Sequence, residues 1–385
     1  MRSRPSWLSP ALLTLGVVGV ALGSLAMAGS EERAIPVLVE RFVGSTGATV
    51  AGLIENDLGA SGAFVLTADR AGAVVVGGTV TGTRIDGRVT SPDGEGILSQ
   101  SYDGPDLRRA AHELSDDVVF ALTGRPGIAT SRMAFVSNNS GRPEIYVCEA
   151  DGRERRRVTY DGALVSHPSI DRTGSTITYV RHQGPSSEVI RLDLLGGARR
   201  RVVDAPGGNH GAALSPDGNH LALTMADSGW PALVVMPLDG SPRRRFSLPG
   251  TLPSAPAWSP DGHRIVYACD AGDGTGPQLH EGRAGQRARR LSLGVTTAFS
   301  PDWSPDGERL VFVTRHRGEL WLAVWERGAA RVRFLGPGQD PCWGADSRHI
   351  LFTTGDRLVT WHTETGTRRT IIENFGRLGE PTWTK

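Results

Sequence analysis

Cysteine is scarce in this sequence: Cys148, Cys269 and Cys342 are the only three in 385 residues. An odd number, spread over distant segments, argues against a disulfide framework and predicts buried strand residues, with one pairing left open. An excess of one charge is also lacking. Lys and Arg total 42 against 41 Asp and Glu, a net charge of +1, which gives no general attraction to nucleic acid. Beyond residue 28 no long apolar run occurs, so no membrane span is expected in the mature chain. There is no Gly-x-Ser-x-Gly elbow, no His-Glu-x-x-His and no phosphate-binding glycine loop. The ten histidines are scattered, with no two at ligand spacing on one helix. "CDAGDGTG" (Cys269 to Gly276) lacks the alternating oxygen ligands and terminal Glu of a calcium loop, and reads as a glycine-rich connection between strands. Neither catalysis, cofactor nor metal is expected.

What the chain does have is glycine (50) and proline (24), arranged periodically. "ALSPDGNHLAL" (Ala213 to Leu223), "AWSPDGHRIVY" (Ala257 to Tyr267) and "DWSPDGERLVF" (Asp302 to Phe312) are near copies. In each, Pro presets φ, Asp can bond the local backbone, and Gly accepts the positive φ that closes a hairpin into a β-prone segment. Weaker copies are "HPSIDRTGSTITY" and "DPCWGADSRHILF". The closing positions Gly174, Gly218, Gly262, Gly307 and Ser347 are spaced by 44, 44, 45 and 40 residues. Between the turns lie further strand pairs such as "LVVMPLDGSPRRRFS" (from Leu233). Four strands per unit of about 40–45 residues is the period of a β-propeller blade. The segment "EPTWTK" (Glu380 to Lys385) leads toward a turn that does not follow, and "RMAFVS" (Arg132 to Ser137) looks like its continuation. Pairing 381–384 with 132–137 closes a ring of six blades over residues 131–385 and removes unpaired edges.

Residues 33–125 read as a separate small α/β domain. "IPVLVERF", the two halves of "AVVVGGTVTGTRIDGRVTS" and "GILSQSYD" are strands. One helix places Val50, Leu53, Ile54 and Leu58 on one face. A second begins with Pro105 in its first turn, carries Leu107, Ala111, Leu114, Val118 and Leu122 at helical spacing, and ends at Gly124. His112, beside Arg108 and Arg109 on that helix, reads as a surface residue. At the N-terminus, Arg2 and Arg4 precede an apolar run ending in "AMA" (Ala26 to Ala28), the pattern of a signal peptide cleaved after Ala28. Residue 29 is not Cys, so no lipid attachment is expected there.

Two features point to binding. Arginines recur at one place in five of the six units: 155–157, 199–201, 243–245, 289–290 and 368–369. On the outermost strands they would form a basic belt, which keeps edge strands from pairing with other sheets or meets anionic envelope surfaces. The second is a ring of positions seven and eight places before each closing turn residue, where innermost strands enter the central channel and six loops converge. Its polar members, with their neighbours, are His167, Asn209, His210, Ser254, Ser300, Asp340 and Glu380.

The repeated "WSPDG", the strands typified by "IYVCEADGRERRRVT", and "AAHELSDDVVFALTGRPGIATSRMAFVS" (Ala110 to Ser137) together resemble the TolB family. "IENDLGASGAFVLT" (Ile54 to Thr67) resembles that family's N-terminal domain. The resemblance covers about 35 to 385 and implies a monomeric, non-enzymatic periplasmic protein of the Tol-Pal system. It implies that the propeller mouth holds a Pal-like peptidoglycan-associated lipoprotein and that the mature N-terminus, "GSEERAIPVLVE", engages a TolA-like inner-membrane protein. The implied role is in outer-membrane integrity, envelope constriction at division and protein import. The chain departs from the family in a short N-terminal domain and in degenerate turns in blades two and six. Those departures leave open a TolB-like paralogue that binds a glycan or another lipoprotein. A prolyl-peptidase-like propeller would need a Ser-His-Asp hydrolase domain, of which the sequence shows no sign.

Overall fold

The repeated turns close one and the same hairpin in the computed structural model, which describes residues 34–184, 186–205, 209–226, 230–247, 250–283 and 286–384. In Ser259-Pro-Asp-Gly262 the Ser259 carbonyl accepts the Gly262 N–H (2.8 Å) and the Ser259 N–H donates to the Arg264 carbonyl (2.9 Å). Asp261 accepts the N–H of His263 at 3.0 Å, and Gly262 takes φ +70°. The degenerate turns keep this geometry: Gly174 has φ +67°, and Ser347 reaches +57° without being glycine. Residues 1–28, read from the sequence as a signal peptide, lie outside the described residues.

These hairpins build six four-stranded sheets arranged as a β-propeller. From blade 1 to blade 6, the innermost strands are Leu378–Trp383, Leu164–Ile170, Asn209–Leu214, Leu252–Trp258, Phe299–Trp303 and Gln339–Trp343. Each is followed outward by two further strands and an outermost strand. Blade 1 joins the C-terminal strand to Arg132–Ser137, with Trp383 opposite Met133 and Leu378 opposite Ser137. Between neighbouring sheets lie separate apolar clusters, centred on residues such as Tyr179, Tyr267, Phe312, Phe352 and Trp343, all 0–1 % exposed. All three cysteines are buried, and among the described residues no disulfide joins them.

The arginine runs fall on the outermost strands: Arg156–Arg157, Arg199–Ala205, Arg244–Arg245, Arg289–Arg290 and Arg368–Ile372. Several are already engaged. Arg199 pairs with Asp161, Arg201 with Glu188 at 3.1 Å, and Arg289 with Glu281 at 3.2 Å.

Ahead of the propeller, a five-stranded sheet is formed by β1 (Ile35–Val39), β2 (Phe64–Leu66), β3 (Val74–Thr81), β4 (Arg84–Thr90) and β5 (Gly96–Asp103), in the order β2-β1-β3-β4-β5. β1 pairs in parallel with β2 and β3, and the remaining pairs are antiparallel. Helices α1 (Gly47–Ala60) and α2 (Leu107–Thr123) share one core with the sheet through Val50, Ile54, Leu58, Leu114 and Val118, each 0 % exposed. Gly124 ends α2 at φ +68°, as expected, but Pro105 stands outside the first turn. Asp106 is the N-cap, its carboxylate accepting the Arg109 N–H at 2.8 Å. A side-chain acceptor satisfies one of the free N–H groups of the first turn, which proline only avoids presenting.

His112 departs from expectation as well. It is 2 % exposed, not on the surface. Its Nδ1 faces the Asp57 carboxylate of α1 at 2.6 Å, and its Nε2 lies 3.5 Å from Glu149 of blade 1. Arg108 bonds both Glu149 and Asp151. Nearby, His349 Nε2 faces the Ala60 carbonyl at 3.1 Å and Arg369 donates to Asn56 at 2.6 Å. All these propeller groups lie at the hairpin-turn ends of blades 1 and 6, so the α/β region sits on the face opposite the ends where the innermost strands begin.

Candidate functional site

Each innermost strand breaks its ladder at the same point. In all six blades the register with the second strand shifts in this stretch, as a β-bulge does. The residue there has positive φ in every blade: Glu380 (+49°), His167 (+51°), Gly211 (+59°), Ala255 (+46°), Ser300 (+48°) and Asp340 (+48°). Proline follows in five blades (Pro381, Pro168, Pro256, Pro301, Pro341), and Ala212 in blade 3. A left-handed conformation costs a non-glycine residue about 1–2 kcal/mol, so five such residues in one ring are held there by their surroundings. Bulges of this kind re-aim side chains and are frequent beside functional sites.

Two of the six supply the holding contacts. The Asp340 carboxylate accepts the N–H of Glu380 at 3.2 Å, and the Glu380 carboxylate accepts the N–H of His167 at 2.5 Å. Each acid thus fixes the left-handed residue of the next blade. The His167 imidazole stands 4.0 Å from the other Glu380 oxygen and 3.0 Å from the Ser166 hydroxyl. At Gly211 a Cβ would lie 3.0 Å from the Ala255 nitrogen, so glycine lets blade 3 approach blade 4.

The ring opens a central cavity of about 330 Å³, lined by His167, Gly211, Ala255, Ser300, Asp340 and Glu380 and by the strands running inward from them. Of the residues predicted from sequence, His167, Ser300, Asp340 and Glu380 are brought together here. Ser254 is exposed one place outside the ring, and Ala255 lines the cavity instead. Asn209 and His210 lie on the innermost strand of blade 3, with Gly211 at the lining position; their side chains fall outside the described residues.

Four exposed apolar side chains were not anticipated. Tyr160, Leu164, Trp230 and Leu252 are between 46 and 63 % exposed. They belong to the connections and strand starts at the mouth side, from the entry into blade 2 through blade 4. Leu164 and Leu252 each stand three places before a ring residue, a spacing visible in the sequence. Among the described residues no group of three or more His, Cys, Asp or Glu side chains is gathered to hold a metal ion. Among them, too, no helix is long and apolar enough to cross a membrane.

Residues 119–385 match the family described as "TolB beta propeller domain". The chain is 27 % identical over 197 residues to "Protein TolB homolog" of Chlorobium chlorochromatii (strain CaD3), covering 50 % of this chain and 43 % of that protein. It is 29 % identical over 206 residues to "Tol-Pal system protein TolB" of Legionella pneumophila, covering 46 % and 49 %. The matches span about half the length of these curated relatives. The crystal structure of TolB from Acinetobacter baumannii superposes with a TM-score of 0.80 at 22 % identity, over 91 % of this chain and 97 % of that one; this likeness concerns the fold.

Proposed function

Because the chain belongs to the TolB β-propeller family, we propose that it is a non-enzymatic periplasmic binding protein of a Tol-Pal-type envelope assembly. In this reading residues 1–28 direct export and are removed, 33–125 form the N-terminal domain and 131–385 the propeller. The mouth holds a Pal-like lipoprotein through His167, Ser300, Asp340 and Glu380, and the mature N-terminus engages a TolA-like protein. Its role would be to support outer-membrane integrity and constriction at division.

The observation that carries this reading is the ring of six left-handed residues around one mouth, five of them strained, on the face the α/β region leaves uncovered. Rigid loops converging on a concavity, with carboxylates in the ring and exposed apolar groups at its rim, are suited to grip a protein surface. The name of the Legionella relative supports the assembly assigned.

Calorimetric titration with the Pal-like domain of the same cell tests it. Saturable binding is expected, weakened by about tenfold or more in Glu380→Ala plus His167→Ala, the scale of losing a charged contact. Binding that survives the double substitution would move the site off the mouth. No heat at all with a folded protein would favour a paralogue with another envelope ligand.

A further inference from the structure

Four blades end their innermost strand in tryptophan: Trp258, Trp303, Trp343 and Trp383. The first residue of the second strand in the preceding blade faces each. Arg264 lies 5.6 Å over the Trp303 ring and Arg309 5.0 Å over Trp343. His349 and His220 take that place at 6.5 Å from Trp383 and 6.3 Å from Trp258. Arg327 adds a second cation over Trp303, at 5.5 Å. Trp303, Trp343 and Trp383 are thereby sealed, at 0–2 % exposure, whereas Trp258 is only half-buried.

Trp258 lines a cleft of about 440 Å³ between blades 3 and 4. Its floor is Trp258, Phe246, Val235 and Ile265, and its exposed rim is His263, Arg283 and Gln286. Among the described residues no carboxylate lines it. The Arg283 guanidinium forms no ion pair among the described residues. The cleft lies at the hairpin-turn end of these blades, on the face opposite the mouth, while the α/β region docks on blades 1 and 6 and leaves it clear.

From this geometry we infer that the cleft binds a carboxylated pyranose at the end of a glycan chain. An indole face carries negative charge and attracts the positive C–H face of a saturated ring. A guanidinium fork pairs bidentately with a carboxylate. Gln286 adds amide hydrogen-bonding groups and His263 an imidazole, which suit hydroxyls. The volume falls within the range of small-molecule sites. A flat aromatic ligand would leave the rim donors unused, and a plain hydrocarbon would leave Arg283 facing apolar surface.

The test is a nuclear magnetic resonance titration of the purified protein with methyl β-D-glucuronide, methyl β-D-glucoside and acetate. The glucuronide is expected to saturate in the millimolar range and to bind at least about fivefold more tightly than the glucoside, with acetate showing no saturation. Arg283→Gln, on an exposed side chain, should reduce the glucuronide to the level of the glucoside. Trp258→Phe, which retains an aromatic ring in the cleft wall, should weaken both sugars. Absence of saturation up to about 50 mM, or glucuronide binding unchanged in Arg283→Gln, would overturn the assignment. Neither result bears on the mouth, so the two sites stand or fall separately.

Discussion

Gly211 and Ala255 occupy equivalent places in neighbouring blades, yet they should respond to substitution in opposite ways. Both have positive φ. A Cβ on Gly211 would meet the Ala255 nitrogen at 3.0 Å and Pro256 Cδ at 3.1 Å, both on rigid groups. Gly211→Ala should therefore cost about 1–3 kcal/mol from strain and crowding together. Ala255→Gly relieves about 1–2 kcal/mol of left-handed strain and gives back about 1 kcal/mol through the freer unfolded chain, so its stability should stay near that of the parent. Guanidinium unfolding with unchanged slope measures both. Equal losses in the two variants would show that the ring is not where strain is held. Glu380 differs again, since its carboxylate caps the His167 N–H. Glu380→Ala should cost about 1–3 kcal/mol by leaving that donor without its acceptor, a loss to be measured before any change in partner affinity is attributed to a lost contact.

At the level of elements, the seam between α1, α2 and blades 1 and 6 is governed by two histidines of opposite tendency. Burial would depress the His112 imidazolium, but its hydrogen bond to Asp57 and the Glu149 carboxylate beside its Nε2, opposed by nearby Arg108, carry its pKa up to about 9. Burial and then the neighbouring His349 push His362 down to about 4, against the pull of Asp346 and Glu364 and with Arg348 acting in the same direction. A raised pKa stabilises fully below the ordinary value of 6.5 and loses its effect as pH rises through 9; a lowered one stabilises above 6.5 and fails as pH falls through 4. The seam should be firmest near pH 6.5. His112→Gln should flatten the alkaline decline of the melting temperature between pH 6.5 and 9, while His362→Gln should flatten the acid one. Parallel curves for parent and His112→Gln over that range would refute the pairing. No local pattern in the sequence signals this seam: His112 meets Asp57 and Glu149, distant along the chain and brought together only by tertiary packing. The hairpins, by contrast, were legible because Pro, Asp and Gly act within four residues. The mouth lies between these cases. Counting back from the turns located the ring, but which neighbour faces the cavity depends on a bulge, so Ala255 takes the place expected of Ser254. Of the apolar groups at the rim, Leu164 and Leu252 repeat at three places before a ring residue, whereas Tyr160 and Trp230 belong to connections that carry no repeat.

For the whole molecule, the decisive contact is the one joining the ends of the propeller. The strand Leu378–Trp383 lies against Arg132–Ser137, and the seam is doubled by the Arg132 N–H donating to the Thr384 hydroxyl (3.0 Å) and the Thr384 N–H to the Arg132 carbonyl (3.0 Å). The Trp383 indole N–H reaches the Ser131 hydroxyl at 2.6 Å, and the Ser137 hydroxyl donates to the Phe375 carbonyl at 2.6 Å. A ring held in this way shares its edges: opening one blade exposes the second strand of blade 1 as an unpaired template and uncovers the apolar clusters on either side. Trp383 is 2 % exposed within one of those clusters, so Trp383→Ala should cost about 3–5 kcal/mol, with Trp383→Phe recovering much of it. Deleting residues 378–385 should do more than destabilise. It should replace one cooperative transition by a broad one and favour association through the exposed edge, as seen by sedimentation at rising concentration. If the shortened chain stayed monomeric and unfolded at the parent's denaturant midpoint, each blade would have to be stable by itself. The mouth, built from all six innermost strands, would then survive without closure. The present geometry argues against that, because Glu380 of the closing strand is the residue that fixes His167 in the blade that follows.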